Sequence, residues 1–332
     1  MAPRPSDWYL GLPEMRFATI AIVGRANVGK STFLNAALCE PLAIVSQRPQ
    51  TTRDTLLGVV HRKDAQLAFL DTPGLHHARN ELGRRMNAAA LDAARLADVL
   101  LFMTDIDPVG SRKKALELAP EDREILERLP ERTPTVAAVN KLDLCRDKGR
   151  VLPLLTELEK ARDFAAIVPV SLRDPLDPQR LLDALAEVAP EGEPGHPDDA
   201  LTDRPTSFFA REYVRESVLH ATRAEVPHAV AVAVEEYVET PKLVRILATL
   251  HVEKPGQRKI LVGTGGTTIR DIGIAARKRI EGLVGRKVHL ELFVRVTPRW
   301  RDAPRMLAEL GHAHSKEPVA RASARTKGQR TR

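Results

Sequence analysis

The chain has 332 residues, so two globular units joined by a linker are expected rather than one. Its 51 Lys and Arg against 44 Asp and Glu give a net charge of +7, which favours an anionic partner such as RNA or a membrane surface. Two cysteines, Cys39 and Cys145, exclude a disulfide framework or a cysteine metal site and are expected to pack as small apolar residues. The opening MAPRPSDWYLGLPEMRF lacks the apolar core of a leader, and no run approaches the roughly 18 apolar residues of a membrane span, so a soluble cytoplasmic protein is expected.

In chain order, Phe17–Val23, Ala65–Asp71, Asp98–Asp105, Thr135–Asn140 and Ala165–Val170 are short apolar runs that predict strands buried on both faces. Between them, Asn87–Ala97 and Glu121–Leu129 carry apolar residues at helical spacing. This alternation predicts an α/β unit, a mostly parallel sheet covered by helices. Around Ala189 the sequence turns to APEGEPGHPDDALTDRP, which reads as a linker. Beyond it a helix (Ser207–Thr222), two strands (His228–Glu239 and Leu243–Glu253), a glycine-led helix and an alternating strand (Lys287–Val296) predict an α+β unit. The glycine-led helix places Ile269, Ile272, Ala276, Ile280 and Leu283 on one face. From about His312 the chain is polar and basic and reads as a disordered tail. The expected divisions are 14–190, a linker over 191–206, 207–310, and a tail over 311–332.

The strongest chemistry lies in GRANVGKST, Gly24 to Thr32, set between a predicted strand and a helix as a phosphate loop requires. Gly24 and Gly29 let the backbone of Arg25, Ala26, Asn27 and Val28 curl so that amides point at phosphates; Lys30 reaches the β and γ phosphates, and Ser31 ligates Mg²⁺, with Thr32 behind it. Alone, this loop does not separate GTPases from ATPases or nucleotide kinases. The base is decided at NKLD, Asn140 to Asp143, where the Asp143 carboxylate can accept from the N1 and N2 donors of guanine and would meet an acceptor on adenine. Asn140 would bond the purine N7 and the loop, and the Lys141 stem would cover the base. In DTPG, Asp71 is placed to hold Mg²⁺ through water, and Thr72 and Pro73 lead to Gly74, whose amide can sense a γ-phosphate. Upstream, SQRPQTTRD offers Thr51 and Thr52 as Mg²⁺ ligands from a mobile loop, with Thr52 carried into the expected site. Backbone donors near Ser171 and Leu172 would close the base pocket.

These motifs, in this order, resemble those of regulatory GTPases, and the likeness is strongest to the bacterial Era family. SQRPQTTR (Ser46 to Arg53) is similar to that family's first switch segment, and FFAREYVRESVLHATRAEVPHAVAVAVEEY to the opening of its type II KH domain. The likeness runs from about Arg16 to Leu310. It implies a Ras-like phosphate-loop GTPase domain followed by a KH domain, and a partner in the 3′ end of small-subunit ribosomal RNA during assembly of the small ribosomal subunit. It also implies a monomer in peripheral contact with the inner face of the cell membrane, and potassium held by Asn27, for which a loop-bracing amide is the competing reading.

Within that likeness Gly263, Thr264, Gly265 and Gly266 occupy the GxxG turn of a KH domain, with Ile269 and Arg270 beside it as RNA contacts. No Lys-Ser/Thr follows these glycines, so a second phosphate loop is not expected, although Thr264 and Gly265 stand where the family often carries Lys or Arg. Arg277, Lys278 and Arg279 lie close by as weaker candidates. Leu75 stands where Ras-type GTPases carry the glutamine that orients water, and no arginine finger is evident, so slow hydrolysis is expected. Trp300 is expected to pack rather than stack on a base. The competing reading is a GTPase switch whose C-terminal domain docks a protein or membrane instead of RNA.

Overall fold

The computed structural model describes residues 15–46, 48, 51–106, 116–145 and 147–312. Three residues of the expected switch segment (47, 49 and 50) and the expected tail from 313 onward lie outside them.

The first sheet has six strands: β1 (Arg16–Val23), β2 (Leu56–His61), β3 (Ala65–Asp71), β4 (Val99–Asp105), β5 (Thr135–Asn140) and β6 (Ala166–Pro169). Their order is β2-β3-β1-β4-β5-β6, and every pairing is parallel except β2 with β3. Alternation along β1 explains the two layers: Ile20 and Ile22 enter one core with helices α1 (Lys30–Leu38) and α5 (Asp177–Val188). Ala21 and Val23 enter the other, with α2 (Glu81–Leu96), α3 (Pro120–Arg128) and α4 (Leu152–Ala161).

Three expectations change here. The last strand is half-buried throughout, because β6 is an edge with one neighbour. The strand β2 was not expected, since Gly58 interrupts its apolar run; a Cβ there would lie 2.8 Å from methyls of Leu34 and Leu38, so α1 demands the glycine that obscures the strand. Cys39 is exposed at the left-handed end of α1 rather than packed.

Residues 190–205 run back along this unit. Phe17 and Gly192 donate amides to Pro190 and Met15, Gln66 exchanges hydrogen bonds with the backbone of His196, and Val59 on edge strand β2 donates to Leu201.

The second unit contains α6 (Thr206–Ala221), the short α7 (Val226–Ala229), β7 (Ala231–Glu239), β8 (Leu243–Val252), α8 (Pro255–Val262), α9 (Thr267–Val284), β9 (Lys287–Val296) and α10 (Pro304–Glu309). The sheet order is β7-β8-β9, antiparallel then parallel, so β9 is an edge. The expected succession is present with α7, α8 and α10 added, and the first strand starts at Ala231 rather than His228 because α7 takes its expected beginning; only Gln257 and Leu261 of the eight residues of α8 are buried, too few to show a period. The buried seam of α9 is Ile272, Ala276 and Ile280. Leu283 is exposed instead, and Val284, four residues on from Ile280, packs on the core. Trp300 packs as expected, fully buried, its indole donating to the Ala229 carbonyl at 2.8 Å. Gly311 and His312, assigned to the expected tail, are held: the His312 ring bonds Asp54 at 2.8 Å and its carbonyl accepts from Arg85.

Candidate functional site

The phosphate loop follows β1 and caps α1. Gly29, the N-cap, sits at φ 114 and Gly24 at φ 147, conformations that L side chains rarely adopt. Space forbids a side chain as well: a Cβ on Gly24 would lie 2.1 Å from the Met103 carbonyl, and one on Gly29 would lie 2.3 Å from Asn140 Nδ2. Lys30 is buried, its Nζ donating to the carbonyls of Arg25 (2.8 Å) and Gly24 (3.2 Å), and burial lowers its pKa to about 8. Asn27 stands at φ 65, a region asparagine tolerates, so the backbone alone gives a reason for asparagine here. Val28 is core; it contributes its carbonyl, which accepts from Asn140 Nδ2 at 2.8 Å.

Opposite the loop, Ser31 Oγ donates to Asp71 Oδ2 at 2.7 Å and lies 2.9 Å from Thr52 Oγ1, which is itself 3.4 Å from the same carboxylate oxygen. Asp71 Oδ1 is buried with no hydrogen-bond partner, and burial raises the pKa of this carboxyl. The two threonines differ in their partners: Thr51 Oγ1 donates to the Arg48 carbonyl, while Thr52 faces Ser31 and Asp71. Ala26, Asn27, Lys30, Ser31, Thr32, Thr52 and Gly74 line one cleft. Gly74 lies against Ala26, where a Cβ would come within 2.8 Å of the loop backbone. Thr72 turns away, its hydroxyl donating to the Ile22 carbonyl, and Leu75 is buried in the core, where it cannot orient a water.

On the base side, Asn140 Oδ1 accepts from the amides of Lys141 and Leu172, and Asp143 accepts from Ser171 Oγ (2.8 Å) and Arg173 (3.0 Å). The amide of Ser171 is taken by Asp177 at 2.6 Å, so the amides expected to close the pocket at Ser171 and Leu172 are spent inside the protein. The Ser171 hydroxyl faces Asp143 instead. Arg25 was expected to contribute backbone only; its guanidinium pairs with Asp105 (2.8 Å) and Asp122 (2.9 Å).

The second glycine turn joins α8 to α9. Gly263, Gly265 and Gly266 all have positive φ (73, 60 and 79), and nothing lies within 4 Å of a Cβ built on Gly265 or Gly266. Thr264, Gly265 and Arg270 are exposed, while Ile269 packs partly on the core. Of the other basic residues, Arg279 is committed, paired with Glu216 at 3.2 Å and lying 4.6 Å over Tyr213.

Sequence reasoning missed the contacts between the switch segments and the second unit. Arg48 donates to the Thr222 carbonyl; Arg53, buried, donates to Val230 at 2.7 Å and lies 5.8 Å over Trp300. Asp54 is held by Arg211 and His312; burial works against its charge, but those partners win and drop its pKa well below the carboxylate range. From α2, the Glu81 amide donates to Asp302, and Leu82 and Met86 pack with Trp300 and Leu307. These residues are far apart in sequence, and nothing in their spacing signals the contact.

Two family models match: one described as 50S ribosome-binding GTPase over residues 19–141, and a KH domain over residues 225–301. GTPase Era of Staphylococcus haemolyticus is 36% identical over 308 residues, 92% of this chain and 100% of that protein. A crystal structure of Era in complex with MgGDPNP and nucleotides 1506–1542 of 16S ribosomal RNA is 35% identical, with a TM-score of 0.84 over 90% of this chain and 99% of that one. A point variant of Aquifex aeolicus Era bound to GDP and AlF4⁻ matches with the same identity and TM-score, over 90% of this chain and 100% of its own. Fold and motifs together define a guanine-nucleotide switch of the phosphate-loop GTPase class that carries a KH domain. Likeness over nearly the whole of both chains narrows the class: the chain belongs to the Era family of GTPases.

Proposed function

We propose that this chain hydrolyses GTP and uses its nucleotide state to govern a KH domain that holds single-stranded RNA, the 3′ end of the small-subunit ribosomal RNA, during assembly of the small ribosomal subunit. The observation that carries this is the end-to-end match to an Era structure holding 16S ribosomal RNA nucleotides. The family model over residues 19–141 is described by the 50S subunit, but it spans only the nucleotide-binding half. The likeness over both units therefore decides for the small subunit.

In this reading Gly24–Thr32 cradle the phosphates, Lys30 meets the β and γ phosphates, and Asn140, Lys141 and Asp143 surround guanine, with the Ser171 hydroxyl bracing Asp143 and the Leu172 amide bracing Asn140. Ser31, Thr52 and Asp71 would hold Mg²⁺, and they fit: three oxygens converge, and the orphaned buried Asp71 Oδ1 lacks a cationic or donor partner. Bound there, Mg²⁺ neutralises charge on the phosphates. Asn27 would hold K⁺ beside them. The Gly74 amide senses the γ-phosphate and Leu75 excludes water from its own position, so intrinsic turnover is slow.

On the RNA side, the open face of Gly265 and Gly266 permits a sugar-phosphate backbone to approach the peptide, with Gly263, Thr264, Ile269 and Arg270 around it. The protein acts as a cytoplasmic monomer. No helix among the described residues is long and apolar enough to cross a membrane, and the basic sequence beyond residue 312 suits a peripheral, salt-sensitive contact with anionic lipid at the inner face of the cell membrane.

The test is binding of the GTP-loaded protein to a labelled strand copied from the 3′ end of small-subunit ribosomal RNA, beside a scrambled strand. A Gly265→Asp, Gly266→Asp variant is the control, since aspartate tolerates left-handed backbone and neither site is crowded. Selective binding that falls by about tenfold or more in the variant is expected. Equal binding of both strands, or none, would favour a protein or membrane as the partner.

A further inference from the structure

The ends of β4 and β5 lie side by side, with Asp105 the register partner of Asn140. Although 36 residues separate Asp105 from Lys141 in sequence, this puts the Asp105 carboxylate between two loops of the nucleotide site. Its Oδ1 accepts from Arg25 of the phosphate loop at 2.8 Å, and its Oδ2 pairs with the Lys141 ammonium. Behind it, fully buried Asp122 pairs with Arg25 Nε at 2.9 Å and accepts from Thr104 Oγ1 at 2.6 Å. Two carboxylates and two cations balance, and Asp105 is the member that both loops share.

Lys141 needs such an anchor. Its ammonium is a point charge on a four-carbon stem with many rotamers, and its backbone is already unusual, at φ 65. Held at the backbone by the turn and at the far end by Asp105, the stem is restrained at both ends and presents a fixed apolar side. The same carboxylate ties that stem to the phosphate loop, whose Arg25 carbonyl in turn receives Lys30.

We propose that Asp105 is a positioning residue for guanine nucleotide: by pairing Arg25 and Lys141 at once, it fixes the Lys141 stem relative to the phosphate loop, so that base and phosphates are bound as one unit. The inference rests on the reading of Asn140–Asp143 as the guanine site. It asks for an effect on binding of GDP and GTP alike, with none on the chemical step.

The experiment is a double-mutant cycle of Asp105→Asn and Lys141→Met in the full chain, read as affinity for fluorescent GDP and GDPNP and as KM and kcat for GTP, with melting temperatures to confirm folding. Asp105→Asn is expected to weaken both nucleotides and raise KM by about tenfold with kcat within about twofold; in the Lys141→Met background it adds less than about twofold. An unchanged affinity overturns the proposal, and so does a full loss that persists in that background, which makes Asp105 a general brace. An Asp143→Asn arm separates the two readings. If that variant moves preference from guanine towards xanthine nucleotides, whose C2 carbonyl needs an amide donor, the base site stands and a negative cycle sinks only Asp105. If it does not, both fall.

Discussion

The chain carries two glycine turns that look alike in sequence and differ in kind. In the phosphate loop the protein itself excludes side chains: Met103 and Asn140 fill the space that a Cβ on Gly24 or Gly29 would need. At Gly265 and Gly266 the space is empty, and only the left-handed backbone asks for glycine. A turn packed from behind is a socket whose amides are fixed before a small ligand arrives. A turn open in front suits a polymer whose own backbone must come close. The lesson is that glycine spacing signals approach, and the neighbours decide what approaches.

Gly29→Ala should break the contrast most severely. Strain at φ 114 and displacement of Asn140 together are expected to cost about a hundredfold or more in GDP affinity, read by fluorescent-nucleotide titration, with RNA binding retained. Retained nucleotide affinity would mean that the socket is softer than its packing.

The contact that joins the two regions is next. Asp54→Asn removes a charged acceptor from Arg211 and His312 and is expected to destabilise by about 2 kcal/mol at pH 7 in urea unfolding. Its sign with pH follows from the depressed pKa of Asp54, whose first influence, burial, is outweighed by His312 and Arg211. The carboxylate therefore stabilises the fold above the ordinary aspartate range, and that stability is lost as pH falls towards the folded value. The difference between variant and parent should begin to shrink below about pH 4 and close only as pH nears the folded value.

Gly265→Ala is expected to do less: about 1 kcal/mol of backbone strain, no clash, and nucleotide affinity within about twofold of the parent, measured by thermal melting and titration. The Lys30 effect is read in bound protons. Burial holds its pKa at about 8 against 10.5, so between those values the unfolded chain binds more protons and stability rises with pH. Phosphates restore the charge, so nucleotide binding above about pH 8 should take up protons, seen by calorimetry in buffers of different ionisation enthalpy.

Much of this was legible in the chain. Strands β1, β3, β4 and β5 announce themselves because burial on both faces leaves unbroken apolar runs, and the motif residues sit at their ends. Other features were not. Gly58 hides β2 because its reason lies in α1, and the short α8 buries too few residues to show a period. Thr51 and Thr52 are indistinguishable until the fold gives one to Arg48 and the other to Ser31 and Asp71. Arg25 sits within the loop motif yet works backwards, towards Asp105 and Asp122.

By itself the sequence determined the elements, the order of the nucleotide motifs and the chemistry each can perform, because these depend on residue type at fixed short spacing along one strand end or one helix start. The tertiary structure alone decided which groups share a charge and which are spent: Asp105 between Arg25 and Lys141, the Leu172 amide on Asn140, the first switch against α6 and His312. Strand register and packing bring together residues dozens to hundreds of positions apart, and no local pattern records that meeting.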